Sequence, residues 1–166
     1  MPGTKNLLVM RHAKSSWKTN EPDARRPLNG RGTRDAVVAG AELASYAPDV
    51  VWCSVATRAQ QTWQSATFGG ASCPDVRVSE ALYGADAREL LEVLRSSPAD
   101  ATTVLVIAHE PGVSELVEAL AVPSPLLTQV VRKFPTGAFA ALSFTGDWAD
   151  LAPGTATLTA FRVPRG

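Results

Sequence analysis

The 166-residue chain holds only two histidines, His12 and His109, and each closes an apolar run: Leu7-Leu8-Val9-Met10-Arg11-His12 and Val104-Leu105-Val106-Ile107-Ala108-His109. Short apolar runs of this kind read as buried strands, so both imidazoles are expected just past the carboxyl end of a strand, at one edge of a common sheet. A single histidine in a loop is usually structural or solvated, but two at equivalent strand ends are a stronger coincidence. Arg11 precedes the first. Arg58, in Cys53-Ser54-Val55-Ala56-Thr57-Arg58-Ala59-Gln60-Gln61-Thr62, opens the helix expected after a second strand and projects toward the same edge. Alone, an arginine in a first helical turn is ordinarily a surface charge. In company, two guanidinium forks, two imidazoles and exposed helix N–H groups make a site suited to a phosphate dianion.

Phosphoryl transfer asks little of a protein beyond a positioned nucleophile and positive charge on the equatorial oxygens. A neutral imidazole attacks without an external base, which makes His12 the candidate nucleophile. His109 is then expected beside it, protonated, as a donor to a phosphoryl oxygen. Glu80, in Val78-Ser79-Glu80-Ala81-Leu82-Tyr83-Gly84, precedes another helix and is the candidate acid for a leaving group, although an isolated Glu in a loop is ordinarily solvated.

The elements that would position these groups alternate. Asn6 to Met10 is a strand followed by a long polar loop with Glu21, Pro22, Asp23, Pro27, Asn29 and Gly30. Ala36, Val37, Gly40, Ala41 and Leu43 then repeat at helical spacing up to about Tyr46, before Pro48. Val50 to Cys53 reads as a second strand, and Ala56 to about Phe68 as a second helix closed by Gly69 and Gly70. Asp86 caps a helix through Leu90, Leu91 and Leu94, with Glu89 as its capping-box partner. Thr103 to Ala108 is a third strand, and Pro111 starts the helix carrying Val113, Leu116, Val117 and Leu120. Past Pro123 and Pro125 the pattern shifts to two strands, Ala138 to Phe144 and Thr155 to Val163. This order implies an α/β fold: a mostly parallel central sheet with helices on both faces and the last strands antiparallel at one edge. In such sheets ligands bind outside the carboxyl ends of the strands.

Bulk properties agree with a single domain over residues 1–166. The chain is 45% hydrophobic and 19% charged, as globular chains are, and is too short for two ordinary domains. Lys plus Arg and Asp plus Glu balance at 16 each, so no basic field favours nucleic acid or an anionic membrane. No run is long enough for a signal peptide or a transmembrane helix, and the cytoplasm is the expected compartment. Cys53 and Cys73 read as buried or half-buried thiols, and of Trp17, Trp52, Trp63 and Trp148, which follow no stacking pattern, most read as core or half-buried packing. Cys53 and Arg58 have only four residues between them and no glycine to wrap an anion, against the five-residue loop of a cysteine-dependent phosphatase. His109-Glu110 lacks the second His that a zinc-protease helix needs. No metal and no cofactor are expected.

Taken together, Arg11-His12-Ala13, the segment from Arg58 to Thr62, Glu80 before Leu-Tyr-Gly and His109-Glu110-Pro-Gly resemble, in order, the spaced motifs of the histidine phosphatase, or phosphoglycerate mutase-like, superfamily. Arg11 to Trp17 with Arg26-Pro27-Leu28-Asn29-Gly-Arg-Gly is similar to its SixA-like phosphohistidine phosphatases, and the resemblance runs from about residue 6 to 144. It implies that His12 becomes a phosphohistidine intermediate, that Arg11, Arg58 and His109 bind phosphate, that Arg26 adds a contact from the loop, and that Glu80 stands where the mutase-like branch keeps its proton donor. Ala13 replaces the Gly usual after the first His, as is common among SixA-like members. A chain this short has little room for segments that close over a small substrate. The expected substrate is therefore a phosphohistidine on a partner protein, such as a histidine-containing phosphotransfer domain or phosphocarrier. A small phosphate ester, or an inactive phosphoanion-binding module, is the alternative.

Overall fold

The computed structural model describes residues 3–166, so the first two residues of the expected unit lie outside the described residues. Six strands form one sheet: β1 (Thr4–Arg11), β2 (Val50–Ser54), β3 (Val76–Ser79), β4 (Thr103–Ala108), β5 (Phe139–Thr145) and β6 (Thr157–Arg162). Their order is β3-β2-β4-β1-β5-β6. The first four run parallel, and β5 is antiparallel to both β1 and β6. The helices are α1 (Gly30–Ala44), α2 (Thr57–Phe68), α3 (Ala87–Arg95), α4 (Gly112–Leu120) and α5 (Pro125–Arg132).

The two central strands explain their own sequences. In β1, Leu7 and Val9 face a core shared with α3, α4 and α5, while Leu8 and Met10 face a second core against α1 and α2. Both faces are covered, so the strand reads as an unbroken apolar run rather than an alternation. The expected α/β architecture is therefore observed, antiparallel edge included. Caps set the helix ends: the Asn29 side chain accepts the Gly32 N–H ahead of α1, and Asp86 and Glu89 form the expected capping box of α3. At Gly40 a Cβ would overlap the Ala66 carbonyl, which lets α1 and α2 touch backbone to backbone.

Two elements depart from the sequence reading. β3 is an edge strand whose Val76 and Val78 point outward, while Arg77 on its other face pairs with Asp75 and lies over Trp52. Its apolar periodicity is thus inverted. α5 follows Pro123, but Ser124 caps it and Pro125 occupies its first turn, where no N–H is required; only Val130 is buried. No helix of the described residues is long and apolar enough to cross a membrane.

Candidate active site

β1 and β4 are parallel neighbours paired through Arg11 and Ala108, so the next residues out, His12 and His109, must stand side by side. The His12 N–H donates to the Ala108 carbonyl at 3.1 Å, and the two ring centroids are 5.1 Å apart. The chain leaves β1 through α1 on one face and leaves β4 through α4 on the other. This divergence opens a crevice at the strand ends, the usual ligand position of such sheets.

Neighbouring segments hold the His12 backbone. Gly137, at φ +77, donates its N–H to the carbonyls of Arg11 at 3.1 Å and His12 at 3.0 Å. Thr62 Oγ1 accepts the Ala13 N–H at 2.9 Å and donates to the Arg58 carbonyl at 2.7 Å. The Arg-Ala-Gln-Gln-Thr segment therefore has a physical reason for its length: one helical turn separates the arginine from the threonine that ties the His12 loop to α2. Gln61 accepts the Leu28 N–H at 2.8 Å and anchors the polar loop to the same helix.

His12 Nδ1 lies 2.7 Å from the Ala13 carbonyl oxygen. A carbonyl only accepts, so Nδ1 carries the proton and Nε2 keeps its lone pair. Burial, opposed by that hydrogen bond and reinforced by the neighbouring His109 ring and the Arg58 and Arg11 guanidinium groups, pushes the His12 pKa down from 6.5 to about 3. The ring is thus neutral at pH 7. Burial, with Arg58 next and Asp23 partly opposing, likewise lowers His109 to about 4. A buried ring facing guanidinium groups is thus neutral in the protein alone, whereas the expected protonated His109 is a ring beside a phosphoryl oxygen.

Arg11, His12, Arg26, Arg58 and His109 line one cleft of about 170 Å³, together with Lys14, Ser15, Trp17, Glu110 and Thr136. Three buried nitrogens on these side chains, Arg11 Nε, Arg58 Nε and His109 Nδ1, have no hydrogen-bond partner among the described residues. Leaving a buried polar group unpaired costs about 1–3 kcal/mol. A tetrahedral oxyanion in the cleft is the kind of ligand that satisfies several such donors together.

Asp23 organises the remaining arginine contacts. Arg58 donates to its carbonyl at 2.7 Å and to Oδ2 at 3.1 Å, Arg26 Nε donates to Oδ1 at 3.2 Å, and Tyr83 donates to Oδ2 at 2.5 Å. The Tyr83 bond, followed by those of the two arginines, holds Asp23 ionised with a pKa of about 2 against the opposing effect of burial. Arg26 also donates to Ser15 Oγ at 2.8 Å and to the Ser16 carbonyl at 3.0 Å, and its guanidinium lies 3.5 Å from the Trp17 ring centroid.

Glu80 is the one sequence candidate not among the cleft-lining residues: it is exposed, at the start of a 3-10 turn. Sequence reasoning missed Asp23, Ser54, Trp17 and Tyr83. Trp17, unlike most of the tryptophans, does not pack inside but is 74% exposed at the cleft rim. Asp23 and Tyr83 are 60 residues apart and carry no local signal of their meeting. The thiols match expectation, Cys53 buried and Cys73 half-buried. Burial pushes Cys53 up to about 12, which removes it as a nucleophile.

A mostly parallel α/β sheet whose switch point carries a neutral imidazole among arginines defines a class of α/β protein with an anion-binding cleft at its strand ends. Residues 7–91 match the family model of the histidine phosphatase superfamily, branch 1, and the chain belongs to that superfamily. It is 41% identical over 162 residues to the uncharacterized protein Rv1276c of Mycobacterium tuberculosis, spanning 94% of this chain and 100% of that one. Among solved structures, the candidate phosphohistidine phosphatase SixA of Nakamurella multipartitia superposes with a TM-score of 0.89 at 37% identity over 99% of both chains. The protein histidine phosphatase SixA in complex with tungstate shares the fold, with a TM-score of 0.77 at 23% identity over 96% of this chain and 97% of that one. So does a mycobacterial glucosyl-3-phosphoglycerate phosphatase, at 0.68 and 16% identity over 95% and 98%.

Proposed function

We propose that this protein removes the phosphoryl group from phosphohistidine on a partner protein, by way of a phosphohistidine at His12. The observation that carries the reading is the state of the His12 ring: Nδ1 tied to the Ala13 carbonyl, Nε2 free and the ring neutral. In the first step Nε2 attacks phosphorus, the P–Nε2 bond forms and the substrate P–N bond breaks. The departing imidazole leaves neutral if its other nitrogen already carries a proton, so no protein acid is required and Glu80 has no part. In the second step water attacks phosphorus, the P–Nε2 bond breaks and inorganic phosphate is released. Arg11, Arg58 and His109 donate to the phosphoryl oxygens in both steps, and Arg26 holds the loop bearing Ser15 and Ser16 against the cleft.

Cleft size supports a protein-borne substrate. About 170 Å³ is below the 300–1,000 Å³ common for small-molecule pockets. It accommodates a phosphoryl group and part of an imidazole while the rest of the substrate stays outside. Hydrolysis of a small phosphate ester is the second reading, favoured by the likeness in fold to a metabolite phosphatase. The test compares kcat/KM for a phosphohistidine-bearing carrier protein and for a panel of esters, each with wild type and His12→Ala. Preferred turnover of the carrier, abolished in His12→Ala, is expected. Preference for one ester would move the protein to metabolite dephosphorylation, and silence on both would leave a phosphoanion-binding module.

A further inference from the structure

Ser54 ends β2 and is fully buried, yet nothing in the reaction above uses it. Its Oγ lies 2.7 Å from His109 Nε2 and accepts the Ala56 N–H at 3.3 Å. A hydroxyl has one proton and two lone pairs. One lone pair is committed to Ala56, and His109 Nε2 is the one acceptor that the described residues offer to the proton. The Ser54 O–H therefore donates to Nε2, which must be the bare nitrogen of the ring. The proton of neutral His109 then resides on Nδ1, one of the three unpartnered buried donors of the cleft-lining residues. In the reverse tautomer the Ser54 proton would be stranded without an acceptor. Nδ1 would then turn a lone pair, not an N–H, toward the anion gathered by Arg11 and Arg58.

We infer that Ser54 is a positioning residue: by donating to Nε2 it fixes His109 as the Nδ1–H tautomer, so that the neutral ring presents an N–H to the phosphoryl group. A neutral His109 thereby remains an oxygen donor without holding a second proton. The catalytic consequence rests on the phosphatase reading, whereas the tautomer does not.

The test uses the whole protein labelled with ¹⁵N in its imidazoles. Only two rings contribute, and His12→Ala assigns them. The wild type is expected to show His109 protonated at Nδ1, and Ser54→Ala a mixture of tautomers. Ser54→Ala should lower kcat about tenfold with KM changed less than about twofold, short of the 10²–10³-fold loss on removing an oxyanion donor itself. Ser54→Thr, which keeps the hydroxyl, should restore the Nδ1–H signal and most of kcat. His109 protonated at Nε2 in the wild type, or an unchanged tautomer in Ser54→Ala, would overturn the inference. If Ser54→Ala does not fold, the wild-type spectrum decides alone. If the wild type hydrolyses no phosphoryl donor, the phosphatase reading fails while the spectrum still decides the tautomer.

Discussion

At the scale of single residues, the cleft is governed by how few of its donors are free. Arg58 spends both Nη groups on Asp23, leaving Nε unpartnered, and Arg26 shares the same carboxylate. Asp23 is thus a fixed counter-charge beside the anion site, about half exposed and ionised. Replacing it with Asn removes that charge while the backbone carbonyl still holds Arg58. Asp23→Asn is expected to strengthen inhibition by inorganic phosphate by roughly fivefold, matching the ~1 kcal/mol upper end for an exposed ion pair. Unchanged or weaker inhibition would mean that Asp23 only orients Arg58. Neither Asp23 nor Tyr83 was visible in the sequence, because their meeting depends on where the polar loop folds back, and no periodicity encodes that.

At the scale of elements, the site follows from strand pairing. The run Leu7 to Met10 and the run Val104 to Ala108 were legible as buried strands. Once they are parallel neighbours, His12 and His109 have no freedom to be apart. β3 and α5 were not legible, for opposite reasons: the valines of β3 face outward and its charged Arg77 packs on Trp52, while Pro123 precedes the cap of α5 and Pro125 sits in its first turn, where a helix tolerates it. Glu80 was read from its order in the chain alone, and the turn after β3 carries it to the exposed surface. The burial that keeps the His109 ring neutral in the protein alone is likewise not visible in a motif. Thr62 is the clearest link between element and site. Thr62→Val keeps the shape and leaves the Ala13 N–H without its acceptor, so a loss of about 1–3 kcal/mol is expected in urea unfolding. A fall in kcat from the loosened His12 loop should accompany it. Wild-type stability and kcat would show that other contacts hold the loop.

At the scale of the whole molecule, formal charge is balanced, while Arg11, Lys14, Arg26 and Arg58 share one cleft, so anion recognition is local rather than global. Folding is coupled to pH through the same two rings. Both pKa values, about 3 and about 4, lie below the ordinary 6.5, so as pH falls the unfolded chain takes up protons before the folded protein does. This contribution to stability is complete above about pH 6.5 and is lost progressively toward pH 4 and below. Tm should be flat from pH 8 to 7 and fall between 6.5 and 4. A flat Tm throughout would contradict neutral, buried imidazoles. The central claim, that His12 accepts the phosphoryl group, is tested most directly by rapid acid-free quenching after mixing with a phosphohistidine carrier, followed by mass measurement of the intact protein and of its peptides. The account predicts one added phosphoryl group, acid-labile, on the peptide containing His12 and absent from His12→Ala. Turnover of the carrier by His12→Ala, or a phosphoryl group found on another residue, would contradict it.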